Sequence, residues 1–545
     1  MRFDYSRCGL NRKDMFFQRV FEILPGATSW SLVVGLVAFS FWKPLITSVL
    51  VIAFLLGWVL RLFYLTTVLM ISYCRLSLES KTDWLARIRG MDRGKAYAAG
   101  LNKVAGQGDW QVKFSLWRHR QDLKRIERSE KESPLSTEIF HLIVIPVIKE
   151  PPVVVRANIE SIANNAALTG QILVVIALEA RGQEAFKKAI YQVAEECKAW
   201  FMELLVVEHP DGLPGEARVK GANTTYAAKV ATHYFEKRNI PFENVIVSCF
   251  DADTVVGPHY FSCLTYHFMI CPDRYRASFQ PIPVYYNNIW EVPGFARVVE
   301  IGSSFFQLVE TTDPEKLVTF SSHSMSFQAL VEVGYWPVDM ISDDSGIFWK
   351  SFLHFDGNYR VVPLPVTLSM DVVDAGVWWK TVVSLYKQKR RWAWGVENFP
   401  LVMRGFLKNK KIPLYEKLRH GFKLFEGHIT WATLPYLLTF VSWLPGIFAG
   451  NEFSNTVLYY NASRITQVIF GLSSLALLTT VILSIWMLPK KKKRFPFFWT
   501  LVHMFEWFLV PVIFICLSAM PALEAQTRLM LNKRMEFLVS EKRRS

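Results

Sequence analysis

The sequence predicts an α/β domain, built on a mainly parallel sheet, inserted between an N-terminal and a C-terminal group of membrane helices. Three observations predict it. Of the 545 residues, 51% are hydrophobic and only 20% are charged, below the roughly 25% charged of ordinary globular chains, and the apolar residues gather at the two ends. Between Ile139 and Phe250, short β-branched runs alternate with helical segments, the pattern of strand–helix–strand units. The two kinds of region are joined by basic stretches. This composition excludes a disordered chain, a collagen and a small disulfide scaffold.

The N-terminal group comprises two apolar stretches, Thr28–Trp42 and Leu45–Tyr73, with Lys43-Pro44 between them and Arg61 as the only charge inside the second. Arg2, Arg7, Arg12, Lys13 and Arg19 precede them against Asp4, Asp14 and Glu22, so both ends of this hairpin are expected to face the cytoplasm. No short apolar core before a small-residue cleavage site marks a signal peptide. At the other end lie Ile429–Ala449, Ile465–Leu488 and Phe497–Ala519. The tract Lys490–Arg494 is expected to be cytoplasmic, which puts Gly450–Arg464, with its Asn461-Ala462-Ser463 sequon, outside. A full fifth span would carry the basic tail (Lys533, Arg534, Lys542, Arg543, Arg544) outside, against the same rule; Pro511 and Pro521 offer a broken or re-entrant helix instead.

Five segments follow: 1–75, a basic N-terminus and two transmembrane helices; 76–136, a basic helical linker; 137–400, the α/β domain; 401–427, amphipathic interfacial helices; and 428–545, about three transmembrane helices and the tail. The net charge is +15. Much of the excess lies in the linker (Arg118, Arg120, Lys124, Arg125, Arg128) and in the interfacial segment (Arg404, Lys408, Lys410, Lys411, Lys417, Arg419). Anionic lipid therefore accounts for it without nucleic acid. The seven cysteines form no CxxC pair and no cluster at zinc spacing, so a reducing compartment is the plain reading.

Within the domain, Ile139–Ile145, Ile172–Leu178, Leu204–Val207 and Asn244–Phe250 read as strands. Helices are expected from Val153 and over Glu184–Lys198 and Gly221–Arg238. Ligands of such sheets bind beyond the carboxyl ends of the strands, which singles out Pro146–Glu150, Glu179–Arg181, Asp211–Lys220 and Asp251–Asp253. An Asp-x-Asp alone is common. After a β-branched strand, its two carboxylates can face one ligand, and Mg²⁺ combines one or two carboxylates with substrate phosphates. Gln388-Lys389-Arg390-Arg391-Trp392 pairs a guanidinium with an indole, suited to a diphosphate and a stacking face; alone it also fits a juxtamembrane anchor. Ser342-Asp343-Asp344 alone fits the start of a helix, where acids are favoured by its dipole. His323 is either a site residue or a satisfied structural histidine.

In order and spacing these residues resemble the membrane-embedded family 2 glycosyltransferases, which include cellulose, chitin and hyaluronan synthases. PVIKE at 146–150 is similar to the family's strand-end PxYNE and Lys220-Gly221-Ala222-Asn223 to its KxGxxN-type segment. Asp251-Ala252-Asp253 matches the DxD, Phe279–Pro283 resembles the strand carrying QTP, Ser342-Asp343-Asp344 lies where the family has TED, and Gln388–Trp392 matches QxxRW. Three departures are Glu179 for the usual Asp, SDD for TED, and the form of the Lys220 segment.

The resemblance implies a GT-A fold and an inverting transfer of a sugar from a nucleotide-diphospho-sugar to a glycan or lipid acceptor. Donor binding would fall to Glu150, Glu179, Lys220, Asp251, Asp253, Gln388 and Arg391, with Mg²⁺ or Mn²⁺ on Asp253. Asp344 would be the catalytic base, and Asp343 and Trp392 would border the acceptor. The expected location is the plasma (inner) membrane with the catalytic domain cytoplasmic. Processive polysaccharide synthesis is the expected mode. The alternatives are single-sugar transfer and a catalytically inactive nucleotide-sensing module. A transporter is disfavoured because the spans show no intramembrane charge pairs.

Overall fold

The computed structural model describes residues 4–7, 9–94, 97, 100–101, 109–129, 133–165, 168–441, 447, 457–489 and 496–535. Its centre is an eight-stranded sheet: β1 (Phe140–Val147), β2 (Ile172–Glu179), β3 (Glu203–His209), β4 (Val245–Cys249), β5 (Val255–Val256), β6 (Ala277–Val284), β7 (Ser324–Ser326) and β8 (Arg360–Ser369). The spatial order is β3-β2-β1-β4-β7-β6-β8-β5. The first four of these strands are mutually parallel, as the alternation of strands and helices predicts. The other half is mixed: β7 runs antiparallel to β4 and β6, β6 and β8 are parallel, and β5 is antiparallel to β8.

The continuous apolar strands are buried on both faces. Along β1, Ile143 and Ile145 join one core with Val174 and Ile176 of β2, under helices Pro152–Ala163, Glu184–Cys197 and Tyr260–Ile270. The alternate residues, Leu142 and Val144 with Leu173 and Val175, join a second core under helices Lys220–Lys237 and Asp343–His354. A strand whose successive side chains point to opposite faces needs apolar residues at every position when helices cover both.

Among the described residues, four helices are long and apolar enough to cross a membrane: Arg12–Trp42, Pro44–Glu79, Gln467–Met487 and Phe498–Met530. The expected span Ile429–Ala449 is seen as the end of helix Leu414–Tyr436 and a π-turn over Leu437–Val441. Most of its second half lies outside the described residues, as do Cys8, the tract Lys490–Arg494 and the end of the basic tail. The last helix is interrupted by a 3₁₀ turn at Trp507–Leu509 and a π-turn at Ile515–Ala519. Pro511 and Pro521 sit at the starts of the resumed α-helical segments, where a missing N–H is tolerated.

One expectation needs correction. Arg61 is paired with Glu426, and Arg297 and His503 are paired with Glu506 inside the last apolar helix. The chain therefore does carry charge pairs at its membrane helices, because Arg61 and Arg297 meet partners distant in sequence there. The interfacial segment is two helices, Asn398–Lys408 and Leu414–Tyr436. On the second, Leu414, Tyr415, Leu418 and Phe422 form an exposed apolar stripe. The other side of that helix is held to the domain by Arg419 on Glu315 and Lys423 on Glu310.

Candidate functional site

The site lies at the carboxyl ends of the parallel strands. Helix Lys220–Lys237 begins there, and its first residue is buried. Lys220 Nζ donates to Asp251 Oδ1 at 2.7 Å and to Asp344 Oδ1 and Oδ2 at 3.0 and 3.2 Å. One ammonium thus joins the acid that follows β4 to the acid in the first turn of helix Asp343–His354. Burial disfavours the charged amine, but the facing carboxylates of Asp251 and Asp344 outweigh it and hold Lys220 well above the usual lysine range. The close approach depends on Gly221. A Cβ there would lie 2.2 Å from the Pro337 carbonyl oxygen and 3.1 Å from Asp343 Cβ.

Asp343, beside Asp344, is buried, and its Oδ2 has no hydrogen-bond partner among the described residues. Burial, and then the charge of Asp344, push its carboxyl up to about 8. Asp344 is fixed through its backbone, whose carbonyl accepts from Thr319 Oγ1 at 2.6 Å.

The stretch Thr319–His323 is a part of the site that the motifs did not single out beyond His323. Ser321 Oγ donates to Asp251 Oδ2 at 2.6 Å, and Ser322 Oγ accepts from the Asp251 N–H. Ser322 holds φ +60°, in the left-handed region that costs a non-glycine residue energy. Gln280, the glutamine of the QTP-like strand, accepts the Phe320 N–H at 2.7 Å. His323 Nδ1 donates to the Phe320 carbonyl and stands 3.9 Å from Asp344 Oδ1. Its burial lowers the imidazole pKa, so His323 is a neutral ring that braces this turn.

Asp253 is buried. Its Oδ2 accepts the Asp371 N–H at 2.8 Å, and Asn287 Nδ2 donates to both the Asp253 carbonyl and Asp371 Oδ1. Among the described residues no three His, Cys, Asp or Glu side chains gather as a metal cage. The donor set here is hard carboxylate oxygen, which fits Mg²⁺ or Mn²⁺ completed by substrate phosphates.

The QxxRW residues lie on helix Trp378–Ala393. Lys389 is buried, 3.0 Å from Glu300, with its ammonium 3.7 Å from the Trp392 ring centre. Arg390 reaches away to Glu524 at 2.6 Å. Gln388 is buried, and its Oε1 has no hydrogen-bond partner among the described residues. Trp392 packs 6.0 Å from Tyr285. Burial first, then the carboxylates of Glu300, Asp253 and Asp251, raise the Tyr285 phenol, while Arg391 lowers it. Tyr285 is therefore within electrostatic reach of both the DxD acids and Arg391.

The remaining expected donor residues lie toward the sheet edge. A cavity of about 110 Å³ at the ends of β2 and β3 is lined by Glu179, Arg181, His209, Asp211, Glu216 and Arg218, among others. Within it Glu179 pairs with Arg181 and His209 with Glu216. Glu150 does not line this cavity; its Oε2 accepts the Ile148 and Lys149 N–H groups and holds the loop after β1.

The family model described as glycosyl transferase family group 2 matches residues 246–523. Two curated relatives are poly-beta-1,6-N-acetyl-D-glucosamine synthases. The one from Staphylococcus aureus (strain COL) is 38% identical over 90 residues, 16% of this chain and 19% of the relative. The one from Staphylococcus epidermidis is 34% identical over 140 residues, 25% and 29%. The chain thus spans less than a third of the length of these relatives. Among solved structures, the mannosyltransferase PcManGT from Pyrobaculum calidifontis, in complex with GDP-Man and Mn²⁺, is 15% identical with a TM-score of 0.40, covering 71% of this chain and 98% of that one. Residues 1–349 of S. aureus TarS, in complex with UDP, are 10% identical with a TM-score of 0.32, covering 74% and 95%.

Proposed function

The chain belongs to glycosyl transferase family group 2, and from that membership we propose that it is an inverting membrane glycosyltransferase that extends a polysaccharide from a nucleotide-diphospho-sugar donor. The observation that carries the reading is the placement of Lys220 between Asp251 and Asp344: one cation joins the donor-side acid to the acceptor-side acid.

In this reading Glu179 and the cavity beside it take the base and ribose, and the loop held by Glu150 forms its wall. Asp251, Lys220, Gln388 and Arg391 surround the diphosphate. Asp253 holds Mg²⁺ or Mn²⁺, which supplies positive charge to the leaving diphosphate when bound. Arg391 adds fixed positive charge on the same side. Lys220 leaves Asp344 for the incoming phosphate, and Asp344 then takes the proton of the attacking acceptor hydroxyl. Asp343, neutral below about pH 8, offers that hydroxyl a hydrogen bond, and Trp392 borders the acceptor sugar. The catalytic domain is cytoplasmic and the membrane is the plasma (inner) membrane.

A polysaccharide product is supported by the names of the curated relatives and by the QxxRW helix leaning on the last membrane helix. Release of nucleoside diphosphate from a panel of nucleotide-sugars, N-acetylglucosamine donors first, tests the reading on detergent-purified protein with and without Mn²⁺ or Mg²⁺. Metal-dependent release from one donor, lost in Asp253→Asn, is the expected result. Silence across the panel with lipids present would overturn it. Sizing the product separates a polymer from a single transferred sugar.

A further inference from the structure

The loop that delivers Asp344 is held by a carboxylate that no motif includes. Glu397 lies on the 3₁₀ turn Trp394–Glu397, just after the QxxRW helix, and is 2% exposed. A carboxylate buried that deeply is costly unless donors converge on it, and they do. Its Oε1 accepts the Ile341 N–H at 3.0 Å, the Ser342 N–H at 2.9 Å and the Ser342 hydroxyl at 2.7 Å. Its Oε2 accepts the Trp394 indole N–H at 2.9 Å and faces Arg7 at 3.7 Å. Ser342 is the residue before Asp343-Asp344, and its carbonyl accepts the Gly346 N–H in the first turn of their helix. The next residue, Asn398, adds a second limb: its Nδ2 donates to the hydroxyls of Ser342 and Ser345, each at 3.0 Å.

Behind this clamp lies the N-terminal tail. The Tyr5 hydroxyl donates to Asn398 Oδ1 at 2.6 Å, and the Tyr5 ring is buried. Ser6 Oγ donates to Asp339 Oδ2 at 2.8 Å on the same loop, and the Ser6 carbonyl accepts from Arg404. The tail continues into the first membrane helix, where Asp14 pairs with Lys408.

We propose that Glu397 is a positioning residue for Asp344, and that Tyr5, Ser6 and Arg7 tie this position to the first membrane helix. The proposal rests on the reading of Asp344 as the base facing the acceptor. Glu397 touches neither substrate nor reacting atoms; it sets where the start of helix Asp343–His354 stands relative to Lys220 and the DxD. A displacement of about 1 Å in such a group can cost roughly 100-fold in rate.

The test uses the full-length protein in lipid–detergent micelles and compares wild type with Glu397→Ala, Glu397→Gln and Tyr5→Phe. The readouts are kcat, donor KM and the Kd for nucleoside diphosphate with Mn²⁺. Glu397→Ala is expected to lower kcat by about 100-fold, with the diphosphate Kd changed no more than about twofold. Glu397→Gln keeps a carbonyl oxygen for the three loop donors and should recover kcat to within about tenfold of wild type. Tyr5→Phe should lower kcat severalfold at unchanged Kd.

Wild-type kcat in Glu397→Ala, or equal losses of kcat and diphosphate affinity in both Glu397 variants, would overturn the positioning role. Unchanged kcat in Tyr5→Phe would overturn the link to the tail. Should Glu397→Ala not fold, Ser342→Ala removes the hydroxyl bond alone and is read by the same split of kcat from Kd. Absence of release by the wild type from every donor would instead sink the transferase reading, and the proposal with it.

Discussion

At the scale of single residues, the site is a problem of three carboxylates and one amine in little water. Lys220 answers two of the acids, Asp251 and Asp344, and leaves Asp343 to stay protonated. Asp344→Asn should therefore cut sugar transfer by about 10²–10⁴-fold, the usual contribution of a general base, while nucleoside diphosphate binding stays nearly intact. Transfer at the wild-type rate would remove Asp344 as the base. Asp343 makes a separate prediction about pH. Its folded carboxyl is pushed up to about 8, against about 3.9 in an unfolded chain. Between those values the folded protein keeps a proton that the unfolded chain has lost. Its contribution to stability is thus full below about pH 4 and is lost as pH rises through about 8. Asp343→Asn keeps the neutral shape and removes the titration. In thermal melts the variant should gain on wild type steadily from pH 5 to 8, and parallel curves would show that Asp343 ionises normally.

At the scale of elements, the helix Lys220–Lys237 and the loop before Asp343 meet through a glycine. In Gly221→Ala the new methyl would press on the Pro337 carbonyl, which is backbone and cannot swing aside. Overpacking of this kind typically costs about 1–3 kcal/mol. The variant should melt earlier and release nucleoside diphosphate at least tenfold more slowly; wild-type turnover would show that the loop gives way freely. The same meeting explains what the sequence disclosed. Strands β1, β2 and β4 were legible because each is an apolar run buried on both faces, the half-buried edge strand β3 because its Leu204–Val207 run is still apolar, and Asp251 could be placed because it ends one of them. The three-residue β7 and the two-residue β5 carry no period to detect. Ser321 and Ser322 in the turn before β7 were missed for that reason, and so were the antiparallel pairings of β7 and β5. Glu397 had no signal at all, since an acid in a 3₁₀ turn is ordinary until its loop donors at Ile341 and Ser342, more than 50 residues away, are seen. Arg61 stood out as a lone charge, but its pairing with Glu426 became legible only once the helices were packed.

At the scale of the whole molecule, the last membrane helix is where the two halves of the protein meet. Its segment Met520–Met530 packs on the first membrane helix, with Gln526 accepting from Ser29 at 2.7 Å and donating to the His428 carbonyl at 2.7 Å. On its other side Glu524 accepts from Tyr386 at 2.8 Å and from Arg390 at 2.6 Å, both on the QxxRW helix, and from its own Arg528 at 2.7 Å. Within QxxRW the labour is thereby divided: Arg390 holds the helix against the membrane part, which leaves Arg391 and Trp392 on the side of Tyr285. Glu524→Ala would strand Arg390 and let the helix shift. Hydrogen bonds to a charged group are worth roughly 1.5–3 kcal/mol each, so the variant should lose stability on that order. Transfer to acceptor should fall about tenfold, and diphosphate affinity should fall with it, because Gln388 and Arg391, assigned to the diphosphate, ride on the same helix. Glu524→Asp should regain part of the rate if the link to Arg390 is what matters. Wild-type transfer and diphosphate affinity in Glu524→Ala would mean that the membrane helices do not set the position of the QxxRW side chains.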